Sequence, residues 1–105
     1  MPLDRDVSSR QYLDLWESVL QEKIEPFAPQ AILVSAGFDL YRNDPIAGLN
    51  FEVADFQALG ASIAGLSRKT GVPSVATIFE GGYDLDALPL CLEAYLAGVG
   101  AIELA

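Results

Sequence analysis

At 105 residues the chain is one domain at most, and a domain of that size buries only a small core. Fifteen acidic residues against six basic ones give a formal charge of −9, which opposes nonspecific binding to nucleic acid and docking on anionic lipid. A hydrophobic fraction of 51% is high for so small a domain and points to apolar surface meant for burial against other protein, the alternative being a well-packed α/β domain with Ala-rich helices.

Residues 1–7 read as a short polar lead. Asp4, Arg5 and Asp6 interrupt any apolar region there, so no signal peptide is expected. Ser8 or Ser9 can cap the helix that follows. Tyr12, Trp16, Val19, Leu20 and Ile24 fall on one stripe at helical spacing, which predicts an amphipathic helix over residues 10–25. Pro26 and Pro29 mark its exit, and Phe27 extends the stripe if Pro26 only kinks the helix.

Residues 31–35 are a short apolar run thinned by Ser35, Ala36 and Gly37, the pattern of a strand buried on both faces of a parallel sheet. Residues 37–50 form a long connection, punctuated by the turn signal Asn43-Asp44-Pro45 and by Gly48. Loops of that length inside a compact domain are usually functional or disordered. A second helix is predicted over residues 52–70, with the stripe Phe56, Leu59, Ile63 and Leu66. Gly60, Ala61, Ala64 and Gly65 permit close packing, and Gly71 closes the helix.

A second strand is predicted over residues 74–79, with the exit loop Glu80-Gly81-Gly82-Tyr83. Asp84 or Asp86 then caps a third helix running to about Gly98. Pro89 is tolerable only if it lies in the first turn of that helix, and Leu88, Cys91, Leu92, Tyr95, Leu96 and Val99 are expected to face inward. Residues 101–105 are a terminal tail. Strand, helix and strand make a βαβ unit of class α/β with flanking helices, for which a right-handed crossover is expected. Two strands alone do not make a stable parallel sheet, so the chain is expected to belong to something larger or to self-associate. No run of apolar residues is long enough to span a membrane, and Cys91 alone forms no internal disulfide. The chain therefore reads as cytoplasmic.

In an open parallel sheet, the loops at the carboxyl ends of the strands form the ligand crevice. The two exit loops, carrying Asp39 and Tyr83, should lie side by side. A carboxylate held at a strand end suits metal binding, and it equally suits capping a helix or satisfying loop amides. Read from the residues alone, Tyr83 is a surface tyrosine after a glycine turn. Arg42 has Asp39, Asp44 and Glu80 as possible ion-pair partners.

Ser35-Ala36-Gly37-Phe38-Asp39, Asp44-Pro45, Gly48-Leu49 and Glu80-Gly81-Gly82-Tyr83 resemble, in order and spacing, the C-terminal part of the histone deacetylase family. The resemblance is to its class II-type and bacterial members, including acetylpolyamine amidohydrolases. It covers nearly the whole chain but only the last part of a much longer catalytic domain. It implies the C-terminal portion of the arginase/deacetylase three-layer fold and an activity of zinc-dependent hydrolysis of an acetylated amine, such as N-acetyl-lysine or an acetylpolyamine. It also implies that Asp39 is a zinc ligand and that Tyr83 donates a hydrogen bond to the substrate carbonyl and its oxyanion. Gly81 and Gly82 then let the backbone approach the substrate, and Asp44, Pro45 and Gly48 are structural residues of the loop after the metal ligand. Glu80 orients its loop.

The sequence contains no histidine. The family's histidine pair and its other zinc ligands, an aspartate and a histidine, all precede the matched region. One aspartate without them does not hold catalytic zinc, so the chain alone is expected to bind no zinc usefully and to be inactive. Three readings follow. The chain is a segment of a deacetylase; or it is a natural short α/β binding or structural module, oligomeric or not; or it is an unrelated small enzyme built on Asp39, Asp44 and Tyr83.

Overall fold

A computed structural model describes residues 3–104. Met1, Pro2 and Ala105, from the expected lead and tail, lie outside the described residues. Helix α1 spans Ser9–Val19 and is opened by Ser8, whose Oγ accepts from the Gln11 amide while the Gln11 side chain accepts from the Ser8 amide. This reciprocal pair satisfies two of the donors that a helix start leaves free. The single expected helix is in fact three pieces. Leu20–Ile24 form a π-helical turn, and Glu25–Phe27 a last short helix, α2, with Pro26 in its first turn. The stripe turns off before Phe27, which is 77% exposed and so does not extend it.

Strand β1, Ile32–Ala36, pairs in parallel with β2, Val75–Phe79, in the register Ile32 to Val75 through Ala36 to Phe79. Helix α3, Val53–Thr70, joins them. It starts at Glu52, whose amide donates to Asp55 Oδ2 at 2.8 Å while its backbone carbonyl accepts from the Asp55 amide at 3.1 Å, and ends at Gly71. Helix α4, Leu88–Val99, follows β2 and has Pro89 in its first turn, where a missing N–H costs nothing. The expected strands and helices are therefore present to within a residue or two, apart from the break in the first helix.

The core lies between the helices and one face of the sheet. Phe38, Phe51, Phe56, Cys91, Ala94 and Tyr95 are buried together, with Phe51, Phe56 and Cys91 essentially inaccessible. Tyr95 also shares a hydrogen bond with Thr77 of β2 at 2.9 Å, which ties α4 to the sheet. Trp16 donates its ring N–H to Ser62 Oγ at 2.6 Å, tying α1 to α3.

The strands are not buried on both faces as expected. Residues 32, 34 and 36 are half-buried, whereas Leu33 is 75% exposed and Ile78 on β2 is 59% exposed. Helices cover one face, and no described element lies over the other. The pattern of Val, Ile and Leu on both faces is that of a parallel sheet with two covers, of which this chain supplies one.

Candidate active site

The strands end level. Ala36 pairs with Phe79, and the pairing runs on past the strand ends, since the Glu80 amide donates to the Ala36 carbonyl at 2.9 Å and the Phe38 amide to the Gly81 carbonyl at 2.8 Å. Phe38 is 4% exposed, with its ring among Phe56, Phe79 and Tyr95. With Phe38 anchored in the core, Asp39 emerges at the rim, and its carbonyl accepts from the Gly48 amide at 3.0 Å.

The glycines show how closely the two loops meet. A methyl group at Gly81 would stand 3.3 Å from the Tyr83 hydroxyl and 3.4 Å from the Asp39 carboxyl carbon, so the phenol and the carboxylate flank one point. A methyl at Gly37 would fall 2.7 Å from Asp39 Oδ1. Gly82 has φ of +141°, a conformation that side chains rarely adopt, and a methyl there would press on Leu88 and Phe38. The juxtaposition of Asp39 and Tyr83 inferred from parallel strands is thus present, with β1 and β2 direct neighbours.

Asp44 has a larger part than its turn signal indicated. It is 8% exposed and is the one charged side chain buried among the described residues. Its Oδ1 accepts from the Ile46 and Ala47 amides at 2.8 and 3.0 Å, and its Oδ2 accepts from the Tyr83 amide at 2.8 Å. Burial by itself would raise its pKa, but the amides of Tyr83, Ala47, Ile46 and Asp84 outweigh burial and hold it below the usual carboxylate value. The local half of this arrangement is legible in Asn43-Asp44-Pro45. The contact with Tyr83 spans 39 positions and leaves no local signal.

Pro45 is exposed at the head of this turn, and Gly48 has φ of +56° where the loop folds back on Asp39. Ser35 Oγ donates to Glu80 Oε1 at 2.9 Å, so Glu80 is tied to β1. Arg42 pairs with none of its three expected partners. It binds Glu52 at 2.6 Å, because the loop returns at Phe51 to pair with residues 40 and 42 and so carries Glu52 alongside. Asp84 Oδ1 accepts from the Asp86 and Ala87 amides and organises the turn before α4.

An apolar cavity of about 240 Å³ opens behind Asp39, between α1, β1 and α3, with Trp16, Phe56 and Ile63 in its wall. The site therefore offers a carboxylate beside a phenol O–H, with the apolar cavity reached from the Asp39 side and not lined by Tyr83. Catalytic zinc takes three protein ligands. The sequence has no histidine, and no group of three or more His, Cys, Asp or Glu among the described residues is placed to hold a metal. No described helix is long and apolar enough to cross a membrane.

Comparison with known proteins finds relatives over nearly the whole chain. The histone deacetylase domain profile matches residues 1–99. A probable deacetylase of Methanothermobacter thermautotrophicus is 36% identical over 99 residues, which are 94% of this chain and 28% of that protein. An acetylpolyamine amidohydrolase of Burkholderia pseudomallei is 29% identical over 103 residues, 98% of this chain and 28% of that protein. The crystal structure of an acetylpolyamine aminohydrolase from Burkholderia pseudomallei superposes with a TM-score of 0.83 and 31% identity, covering 96% of this chain and 28% of that one. The chain thus spans little more than a quarter of the length of these relatives. The expected α/β, deacetylase-type fold is borne out.

Proposed function

This chain belongs to the histone deacetylase family, and from that premise we propose that it carries the Asp39 and Tyr83 part of a zinc-dependent site that hydrolyses an acetylated amine. The substrate class is N-acetyl-lysine or an acetylpolyamine. Asp39 is one ligand of the metal. The histidines and the remaining ligands come from polypeptide outside these 105 residues, since the chain has no histidine of its own. Zinc, when so held, supplies Lewis acidity at the amide carbonyl. Tyr83 donates its O–H to the carbonyl oxygen as negative charge develops there. A donor aimed in advance at that position lowers the barrier without reorganising.

The observation that carries this reading is the convergence of the Tyr83 hydroxyl and the Asp39 carboxyl group on Gly81. The test is a chimera in which this chain replaces the matching segment of the Burkholderia acetylpolyamine amidohydrolase. The chimera is expected to bind one zinc and to release acetate from an acetylated polyamine or an acetyl-lysine peptide. A folded chimera without zinc, or with zinc and no turnover, would sink the proposal.

A second reading is favoured by the bare sheet face at Leu33 and Ile78. On it the chain is a non-catalytic α/β module that binds through that face to another protein or to its own copy. A stable complex formed through this face by the unmodified chain, together with an inactive chimera, would select it.

A further inference from the structure

We propose that Asp44 is a positioning residue that aims Tyr83 at Asp39 by joining the two loops that carry them. The role of Tyr83 here rests on the deacetylase reading; the joint itself rests on geometry alone. A turn of the Asn43-Asp44-Pro45 type needs one side-chain oxygen, and Oδ1 fills that need through the Ile46 and Ala47 amides. Oδ2 is left over, and it reaches the Tyr83 amide at 2.8 Å. Among the described residues the Tyr83 N–H finds no backbone acceptor, so this carboxylate oxygen is what holds it. Tyr83 is itself 48% exposed, so packing does little to orient its ring, and the amide anchor fixes the point from which the side chain leaves the backbone.

The same loop is fixed to Asp39 at its other end. Gly48 donates to the Asp39 carbonyl, and a methyl at Gly48 would stand 3.0 Å from the Asp44 carbonyl oxygen. Asp39, Gly48, Asp44 and Tyr83 therefore form one chain of contacts. Among the described residues no ion pair reaches Asp44, and the nearby Arg42 is engaged by Glu52. A buried charge held by amides alone is fixed in direction by those donors, and a carboxylate offers both oxygens as acceptors where an amide side chain offers one.

Amide hydrogen exchange by NMR on the full chain tests the joint. In the unmodified chain Tyr83 N–H is expected to be protected although it lies in a loop; an unprotected Tyr83 amide overturns the proposal without any variant. In Asp44→Asn, and in Asp44→Ser, which keeps a short acceptor for its own turn, Tyr83 exchange is expected to accelerate about tenfold or more while the α3 amides keep their rates. Unchanged Tyr83 exchange overturns the proposal. So does equal acceleration throughout α3, which would make Asp44 a general folding residue.

In the chimera, Asp44→Asn is expected to lower kcat on the order of 10²-fold with zinc retained. On a Tyr83→Phe background it is expected to add almost nothing, whereas independent, multiplying losses would overturn the proposal. The exchange measurements need neither metal nor substrate. Protection as expected in an inactive chimera would remove the deacetylase reading and leave the joint standing.

Discussion

Gly60 of α3 and Gly98 of α4 cross backbone to backbone. A methyl on Gly98 would collide with the Gln57 carbonyl oxygen and stand 2.8 Å from the Ala61 nitrogen; one on Gly60 would collide with the Tyr95 carbonyl and stand 2.8 Å from the Val99 nitrogen. The obstacles are backbone atoms, which move only if a whole helix moves. Alanine has better helix propensity than glycine by ~1 kcal/mol, but overpacking costs ~1–3 kcal/mol. Gly60→Ala and Gly98→Ala are therefore expected to destabilise. Gly65→Ala is the control: a methyl there meets only the tip of Arg68 at 3.8 Å, and stabilisation by ~0.5–1 kcal/mol is expected. Chemical denaturation of the three variants checks this, and a stabilised Gly98→Ala would contradict the close crossing.

Asp39 and Tyr83 should fail differently. In the chimera, Asp39→Ala is expected to lose zinc and activity together. Tyr83→Phe is expected to keep zinc and lose ~10²–10³-fold in kcat, the usual effect of removing one oxyanion donor. Zinc content and turnover measured on the same samples decide. The isolated chain, with one carboxylate ligand, is expected to bind zinc no better than micromolar by calorimetry, and a stoichiometric nanomolar site would contradict this.

Cys91 is inaccessible in the core, and its thiol is pushed up to about 11, first by burial and then by the Asp84 charge. Burial favours the neutral thiol in the folded state only. The unfolded chain then loses this proton at lower pH than the folded one, so stability is expected to be level below the unfolded thiol value near ~8.5 and to fall as pH rises from there towards 11. Cys91→Ala should remove that part of the alkaline slope. A thiol reagent at neutral pH should label the chain only as fast as it unfolds; immediate labelling would show an open core.

The bare sheet face predicts behaviour in solution. Leu33 and Ile78 make few contacts, so Leu33→Lys with Ile78→Lys is expected to leave the melting temperature unchanged while abolishing concentration-dependent association. Light scattering over a range of concentrations reads this out. An unmodified chain that stays monomeric and melts cooperatively would contradict it.

Much of this fold is legible in the sequence because its signals are local. The 3.6-residue stripe from Phe56 to Leu66 and the closing Gly71 give α3, and the apolar runs ending at Ala36 and Phe79 give the strands. The π-helical turn at Leu20–Ile24 is not legible, because the apolar stripe passes through it with almost the spacing of an α-helix. The exposure of Leu33 is not legible either. Its sequence is that of a doubly covered strand, and the second cover is not encoded in these residues. Arg42 meets Glu52 because the loop closes at Phe51, a fact of three dimensions with no trace in spacing.

The rungs from Glu80 to Ala36 and from Phe38 to Gly81 prolong the ladder beyond the two strands. The loops bearing Asp39 and Tyr83 are thus less like lids on a platform than like the last planks of the platform itself. Warming that separates β1 from β2 therefore dismantles the site in the same event, and a substitution in either strand is felt first as a change in how far apart the carboxylate and the phenol stand.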